Sequence, residues 1–420
     1  MNIFQLAYKS LKNRKTSALL TIFSIAISVA LLLSVERVRV EAYSSFTNTL
    51  SGTDIIVGAR SSPISLLLYS VFHIGNATNN ITWKTYQELA NHPVVEWTIP
   101  ISLGDSHKGY RVVGTSSAMF EHFRYGNEQP LSFATGKAFA DLYDAVIGSE
   151  VAAALGYKVG EDIVLSHGVE NTSLQQHDDK PFLVSGVLKP TGTPMDRVIL
   201  TSLEGIEALH IDWVNGAPSV PAFAISADKA RAMALEPHSI TAYFVGLKSR
   251  IAAFSYQRTI NDYPQEALTA ILPGVVLGEL WRLIGSAEEA LLIISAMVVV
   301  AGLLGMLTTI LTSLNERRRE IAILRSVGAR PFHIMMLMIT EAMIYALVGT
   351  LFGFILLYGL LCIAQPIIQT HWGIHIAIST PGGFEAVLAI GVIGCAALLG
   401  TVPAWLAYRN SLADGLTMKL

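Results

Sequence analysis

The stretch Thr16–Val35 is twenty residues long and carries no charge, enough helix to cross about 30 Å of hydrocarbon. Three comparable runs lie far downstream. Residues 290–314 are 25 positions without a charge, 335–363 hold one acid (Glu341), and 386–407 hold none. A chain with 52% hydrophobic and 15% charged residues and a mean hydropathy of +0.48 belongs to the membrane class. The expected spans are 16–35, 287–314, 335–363 and 386–407. The first run has no small-residue exit site, so it reads as a span and not as a cleaved leader.

Charge distribution sets the expected orientation. Residues 1–15 place Ile3, Phe4, Leu6, Ala7 and Leu11 against Lys9, Lys12, Arg14 and Lys15, the pattern of an amphipathic helix on the inner membrane surface. Four positive charges and no acid before the first span put the N-terminus in the cytoplasm. Four spans then return 315–334 and the tail 408–420 to the cytoplasm, and the net +3 of 315–334 agrees. Residues 36–286, with 18 Lys and Arg against 25 Asp and Glu, and the loop 364–385 fall on the outer side. Trp372, Trp405 and Tyr408 lie near expected interfaces.

The 36–286 region alternates helix and strand signals. Glu36–Leu50 continues the first span as helix, and Thr53–Val57 reads as strand. Pro63–Ile74 is strongly apolar but too short to cross a bilayer; it is expected in a core, with an outer-surface or substrate contact as the alternative. Helix is expected at Thr82–Ala90, Ser149–Leu155 and Ser249–Tyr263. Strand is expected at Val94–Leu103, Gly109–Gly114, Ala145–Gly148, Asp162–Leu165, Phe182–Leu188, Arg197–Thr201, Ile240–Leu247 and Val275–Leu280. Residues 132–215, richest in strands and turns, are expected to form an insert subdomain. The fold class is therefore an α-helical membrane protein with four transmembrane helices and a large mixed α+β extracytoplasmic domain inserted between the first and second.

Between the second and third spans lies Asn315-Glu316-Arg317-Arg318-Arg319-Glu320-Ile321-Ala322-Ile323-Leu324-Arg325-Ser326-Val327-Gly328-Ala329-Arg330-Pro331, the densest run of positive charge in the chain. Ile321, Leu324 and Val327 share a helical stripe that ends at Gly328, with Pro331 just beyond. Arg317, Arg318 and Arg319 suit acidic head groups or acidic groups on a protein partner. On spacing alone, a topology-setting basic loop and a docking helix fit equally. Gly349 and Gly353 form a small-xxx-small pattern that lets helix backbones approach closely.

Glu341 is a charge inside a span. It is expected to face the bundle or to reach the cytoplasmic surface near a loop arginine. Ten of eleven histidines fall on the outer side, His333 being the exception. His177 with Asp178, and His371 with His375, are the only candidate metal ligands, and no dense cluster forms. Cys362 and Cys395 sit in apolar runs, which argues against a disulfide. No catalytic constellation or nucleic-acid signature stands out.

The order of span, large domain, three clustered spans and an arginine-rich loop resembles the FtsX/MacB-like permease family, the type VII ABC transporters. The resemblance is carried by Asn315–Pro331, by Glu341-Ala342 with Gly349 and Gly353, and by Pro403-Ala404 with Asp414-Gly415-Leu416. The entry segment Leu6–Lys15 also resembles the family's. The family implies two permease subunits, identical or different, bound to an ABC ATPase dimer. It gives 315–334, including Glu316, Glu320, Arg325, Ala329 and Arg330, the role of coupling element. Its ectodomain is mixed α/β with an insert, and motion passes along a stalk without substrate crossing between the spans, which is called mechanotransmission.

No G-x-x-x-x-G-K-[ST] sequence occurs, so this chain is expected to be no enzyme and to bind no cofactor. ATP and Mg are expected in a separate ATPase, as in the stand-alone lipoprotein-releasing (LolC/LolE-like) permeases. The resemblance implies a bacterial inner-membrane location and a substrate such as a lipoprotein, lipid, peptide or small hydrophobic compound. A periplasmic or outer-membrane partner is a further option. Two alternatives stand beside transport: FtsX-like control of a periplasmic enzyme, and a permease linked to zinc handling. A secondary transporter is disfavoured because four spans hold no inverted repeat.

Overall fold

The computed structural model describes residues 14–168, 178–214, 217–218, 225–316, 318–372 and 381–413. They divide into two units, Met1–Ala42 with Ile284–Leu420, and Tyr43–Leu283. The expected amphipathic helix 1–15 lies outside the described residues except for its last two positions, as does the tail beyond Ala413.

The Tyr43–Leu283 unit is organised by one sheet. Its strands are β1 (Ile55–Ala59), β2 (Val95–His107), β3 (Tyr110–Thr115), β4 (Phe133–Gly136), β5 (Asp144–Ile147) and β6 (Asp162–Ile163). They continue with β7 (Ser166–His167), β8 (Phe182–Leu188), β9 (Val198–Ser202), β10 (Ala242–Leu247) and β11 (Leu268–Ile271). The spatial order is β11-β1-β10-β2-β3-β9-β5-β8-β4, with β7 on β2 and β6 on β8. From β11 to β3 every pairing is antiparallel, whereas β3–β9 and β5–β8 are parallel. Parallel neighbours need covered faces, and β1, β5, β9 and β10 are buried at every position.

One face packs Ile56, Ile99, Val113, Val146, Leu200 and Phe244 under helix α2 (Pro63–Val71). Ser62 starts α2 by accepting from the Ser65 N–H, and Pro63 occupies its first turn. Leu66, Leu67, Tyr69 and Val71 are buried, which is the core role expected for this apolar stretch. The opposite face carries two cores. Ile55, Val57, Tyr243 and Val245 pack with α3 (Trp83–Ala90) and α6 (Ala253–Asn261), while Ala145, Ile147, Phe182, Val184 and Ile199 pack with α4 (Ser149–Leu155) and α5 (Leu203–His210). The described part of 132–215 thus supplies most of one core on one face, completed by Val112 and Ala230. On the other it shares one, and the sheet runs on through β3–β9 pairing.

One strand expectation is corrected. Val275–Leu280 is helix, not strand: α7 starts at Pro273, and the last strand is Leu268–Ile271. Proline at a first helical turn sacrifices no internal hydrogen bond, and a backbone already committed to a long helix overrides the β preference of Val275-Val276.

The other unit is a bundle of α1 (Lys15–Asn48), α7 (Pro273–Glu316), α9 (Pro331–Trp372) and α10 (Gly383–Ala413), with the short α8 (Arg318–Ser326) between α7 and α9. Among the described residues four stretches are long and apolar enough to cross a membrane: Lys15–Val40, Pro273–Leu314, Pro331–Gln365 and Gly383–Arg409. Helix α9 runs nine positions past 363, so the expected loop 364–385 begins as helix. Large apolar side chains such as Leu20, Leu304, Leu351 and Leu398 point outward, as a lipid-facing surface requires.

Candidate functional site

The arginine-rich loop folds as a capped helix. Helix α8 closes with Gly328 in the left-handed region, at φ 96°. The Gly328 N–H donates to the Arg325 carbonyl (2.9 Å) and the Ala329 N–H to the Leu324 carbonyl (3.0 Å). This pair of bonds is a Schellman stop, which a residue with a Cβ forms at a cost. Beyond it, the Arg330 N–H donates to His333 Nδ1 (3.2 Å), and α9 begins at Pro331.

The apolar stripe does not stay on one side. Leu324 packs on the bundle core and Ile321 is half-buried, while Val327 is 81% exposed. The reason is geometric: the helix ends at Ser326, so Val327 lies in the turn and leaves the stripe. Ile323, 56% exposed, accompanies Val327 on the open side. Arg325 and Ala329 are half-buried, and Gly328 and Arg330 exposed. Arg317 lies outside the described residues. So do the side chains of Glu316, Arg318, Arg319, Glu320 and Ala322, although these positions are helical.

Gly349 and Gly353 mark the contact between α9 and α1. A Cβ on Gly349 would sit 2.6 Å from Ile25 Cγ2, and one on Gly353 3.0 Å from Val29 Cβ. Glycine at 302 has the same role, since a Cβ there would meet Ser28 Oγ at 2.7 Å. The Ser28 hydroxyl donates to the Val298 carbonyl (3.2 Å) and Thr21 Oγ1 to Thr309 Oγ1 (3.2 Å), tying α1 to α7. Small residues and hydroxyls hold helices together where burial of apolar surface offers no drive.

Glu341 is buried (2% exposed) and faces the bundle, as expected. It lines a cleft of about 620 Å³ with Arg14, Thr21, Thr309, Ser313 and Tyr345. Arg14 Nη1 closes one end by donating to the Ser313 carbonyl (3.3 Å). A second buried charge contact lies elsewhere in the bundle: Arg37 Nη1 donates to Glu385 Oε1 at 3.2 Å, with both side chains 6% exposed, while the Gly382 N–H donates to Glu385 Oε2 (3.0 Å). Sequence reasoning missed this pair and the hydroxyl ladder. The available signals were a charge at each end of an apolar run and the four-residue spacing of Ser17, Thr21 and Ser28 with Ser24.

The metal candidates do not come together. Asp178 is exposed, His177 and His375 lie outside the described residues, and so does the side chain of His371, at the end of α9. Among the described residues no group of three His, Cys, Asp or Glu is placed to hold a metal. Three of the inserted unit's histidines are tied into its own packing. Burial, helped by the Arg111 charge, pulls His73 down to about 4. Burial likewise lowers His107, whose Nδ1 lies 2.6 Å from the Val164 carbonyl and Nε2 3.0 Å from the Tyr157 hydroxyl. Burial also opposes charge on His210, but the adjacent Asp105 carboxylate outweighs it and raises that ring.

Comparison with known proteins matches residues 18–236 to the MacB-like periplasmic core domain and 292–412 to the FtsX-like permease C-terminal domain. A macrolide export ATP-binding/permease protein MacB from Chromobacterium violaceum is 32% identical over 139 residues, covering 32% of this chain and 20% of that protein. A Burkholderia pseudomallei protein of the same name is 31% identical over 124 residues, covering 30% and 18%. The match therefore spans about a fifth of the length of these relatives. The periplasmic region of MacB from Actinobacillus actinomycetemcomitans superposes with a TM-score of 0.33 at 9% identity, covering 55% of this chain and 94% of that one. The extracellular domain of the noncanonic ABC-type transporter YknZ from Gram-positive bacteria gives 0.30 at 13% identity, covering 52% and 99%.

Proposed function

As this chain belongs to the FtsX/MacB-like permease family, we propose that it is the membrane subunit of an ABC system whose ATPase is a separate polypeptide. The observation that carries this reading is α8: a short helix with a fixed stop, set between two long apolar helices, with Ile323 and Val327 open to a partner. In the sequence, Arg325 and Arg330 flank that apolar pair, and arginines at 317, 318 and 319 precede it.

In this reading ATP and Mg are bound by the ATPase dimer, and hydrolysis moves α8. Helices α1 and α7, each continuous from the bundle into the inserted unit's part of the chain, carry the motion to a domain on the outer side. A second permease subunit completes the assembly. The cargo is an outer-side molecule, of which lipoprotein, lipid, peptide and small hydrophobic compounds are the classes to screen.

The test is stimulation of the ATPase that co-purifies with the full chain. Val327→Asp combined with Ile323→Asp is expected to lower stimulation about tenfold or more, as does charge reversal at 317–319. Unchanged stimulation in both removes the docking claim. For orientation, Cys362 and Cys395 are replaced, and single cysteines at Asp178 and Val327 are probed with an impermeant reagent on intact cells. Labelling at 178 alone is expected, and the reverse pattern overturns the topology.

A further inference from the structure

Helix α5 ends on His210, which sets an imidazole against a buried carboxylate of the sheet. His210 Nδ1 lies 2.9 Å from the Ile206 carbonyl, which can only accept, so Nδ1 carries a proton and Nε2 is the nitrogen left to bind. Nε2 faces Asp105 Oδ1 at 3.6 Å. Asp105, on β2, is 2% exposed, whereas the His210 side chain keeps 26% of its surface open to solvent. Their separation exceeds the span of a direct hydrogen bond, about 2.7–3.2 Å, and is near the distance of about 3.4 Å between two ligands of one tetrahedral zinc. A cation joins a carboxylate and an imidazole nitrogen placed this way, and a metal ion can replace the proton in that role.

A third ligand comes from strand pairing. β7 runs antiparallel to β2 with His167 directly opposite Asp105. The Gly168 N–H donates to the Gly104 carbonyl (3.1 Å), which makes 167 and 105 a non-hydrogen-bonded pair, the kind whose Cα atoms approach closest. Opposed residues of an antiparallel pair share one face of the sheet, so His167 belongs to the face that carries Asp105. Glu207, one turn before His210, is engaged elsewhere: its carboxylate accepts from the His238 backbone N–H and meets His238 Nδ1. Two imidazoles and one carboxylate suit zinc and its first-row neighbours, whereas magnesium and calcium take oxygen ligands. We infer that Asp105, His167 and His210 hold one first-row divalent cation of the zinc class, with the fourth position open to water or to a further donor. None of the three belongs to the pairs His177–Asp178 and His371–His375, because strand pairing and helix packing, not local spacing, bring them together.

The full chain, purified in non-ionic detergent and stripped of metal, is titrated with zinc against a chromophoric chelator. One zinc per chain is expected, at micromolar affinity or tighter, with no competition from a large excess of magnesium. Asp105→Asn, His167→Gln and His210→Gln are each expected to weaken binding about tenfold or more, while His238→Gln leaves it unchanged. X-ray absorption of the zinc-loaded wild-type chain gives a readout that no folding defect can mimic: two imidazole nitrogens are expected at about 2.0–2.1 Å from the metal. Failure to bind one zinc, a zinc shell with fewer than two imidazoles, or full affinity in any of the three ligand variants overturns the assignment.

Discussion

The inserted domain and the helix bundle are cohesive for opposite reasons. In the domain, a sheet with buried faces gathers large side chains such as Phe182, Tyr243, Phe244 and Ile199, and removal of apolar surface from water drives the packing. In the bundle, many large side chains point outward, and beside a core that includes Leu33, Met306 and Met338 the helices meet closely at Gly349, Gly353, Gly302, Ser28 and Thr21. A hydrocarbon solvent gives no reward for burying leucine, so close approach and polar pairing take its place. The same kind of substitution should therefore have different consequences in the two regions.

The largest expected effect is in the domain. Lys180, 1% exposed, donates to Asp212 at 2.7 Å, and Lys180→Met leaves that carboxylate without its cation. A loss of about 3 kcal/mol is expected in chemical unfolding followed by hydrogen exchange of β8, since breaking a buried pair strands a charge. The parallel change in the bundle, Arg37→Met opposite Glu385, is expected to cost less, because helices separated within a bilayer still find polar partners. Equal losses would show that the lipid reference state matters less than this contrast requires.

Next comes packing. Gly349→Leu drives a side chain into Ile25 and is expected to cost about 2 to 3 kcal/mol, read as a lower melting temperature in detergent. A neutral result would remove Gly349 from the α1–α9 contact.

Acid should separate the regions further. His73 is held at about 4 in the folded domain, below its ordinary value, so its contribution is present above pH 6.5 and is lost as pH falls toward 4. About 3 kcal/mol should disappear over that window from β2 and α2, with His107 acting in the same direction. His210 has the opposite sign: raised by Asp105, its contribution is lost as pH climbs through its elevated value. His73→Gln should flatten the acid limb, and a limb that persists unchanged places its origin elsewhere. The smallest effect is Thr21→Val, which removes the hydroxyl contact to Thr309 and should cost about 0.6 kcal/mol in thermal unfolding of the bundle.

Local pattern made much of this legible. Ser149–Leu155 and Phe182–Leu188 form where an apolar period and its turn signals coincide, and Gly328 stops α8 where a left-handed residue is needed. Val275–Leu280 misled because two valines in a row satisfy a strand template, and nothing local reports that a helix already runs from Pro273. Val327 misled because a stripe continues on paper past the residue where hydrogen bonding ends it.

The sequence alone determined the four apolar helices, the mixed domain between the first two and the basic segment between the second and third, because each follows from local composition, period or charge. Three other things were decided only in the tertiary structure. The strands of 132–215 join the same sheet through β3–β9, Gly349 meets Ile25, and Glu341 shares a cleft with Arg14 and a row of threonines. Each depends on residues far apart in the chain arriving at one place, and such encounters are set by the packing of whole helices and strands, which no short window of sequence contains.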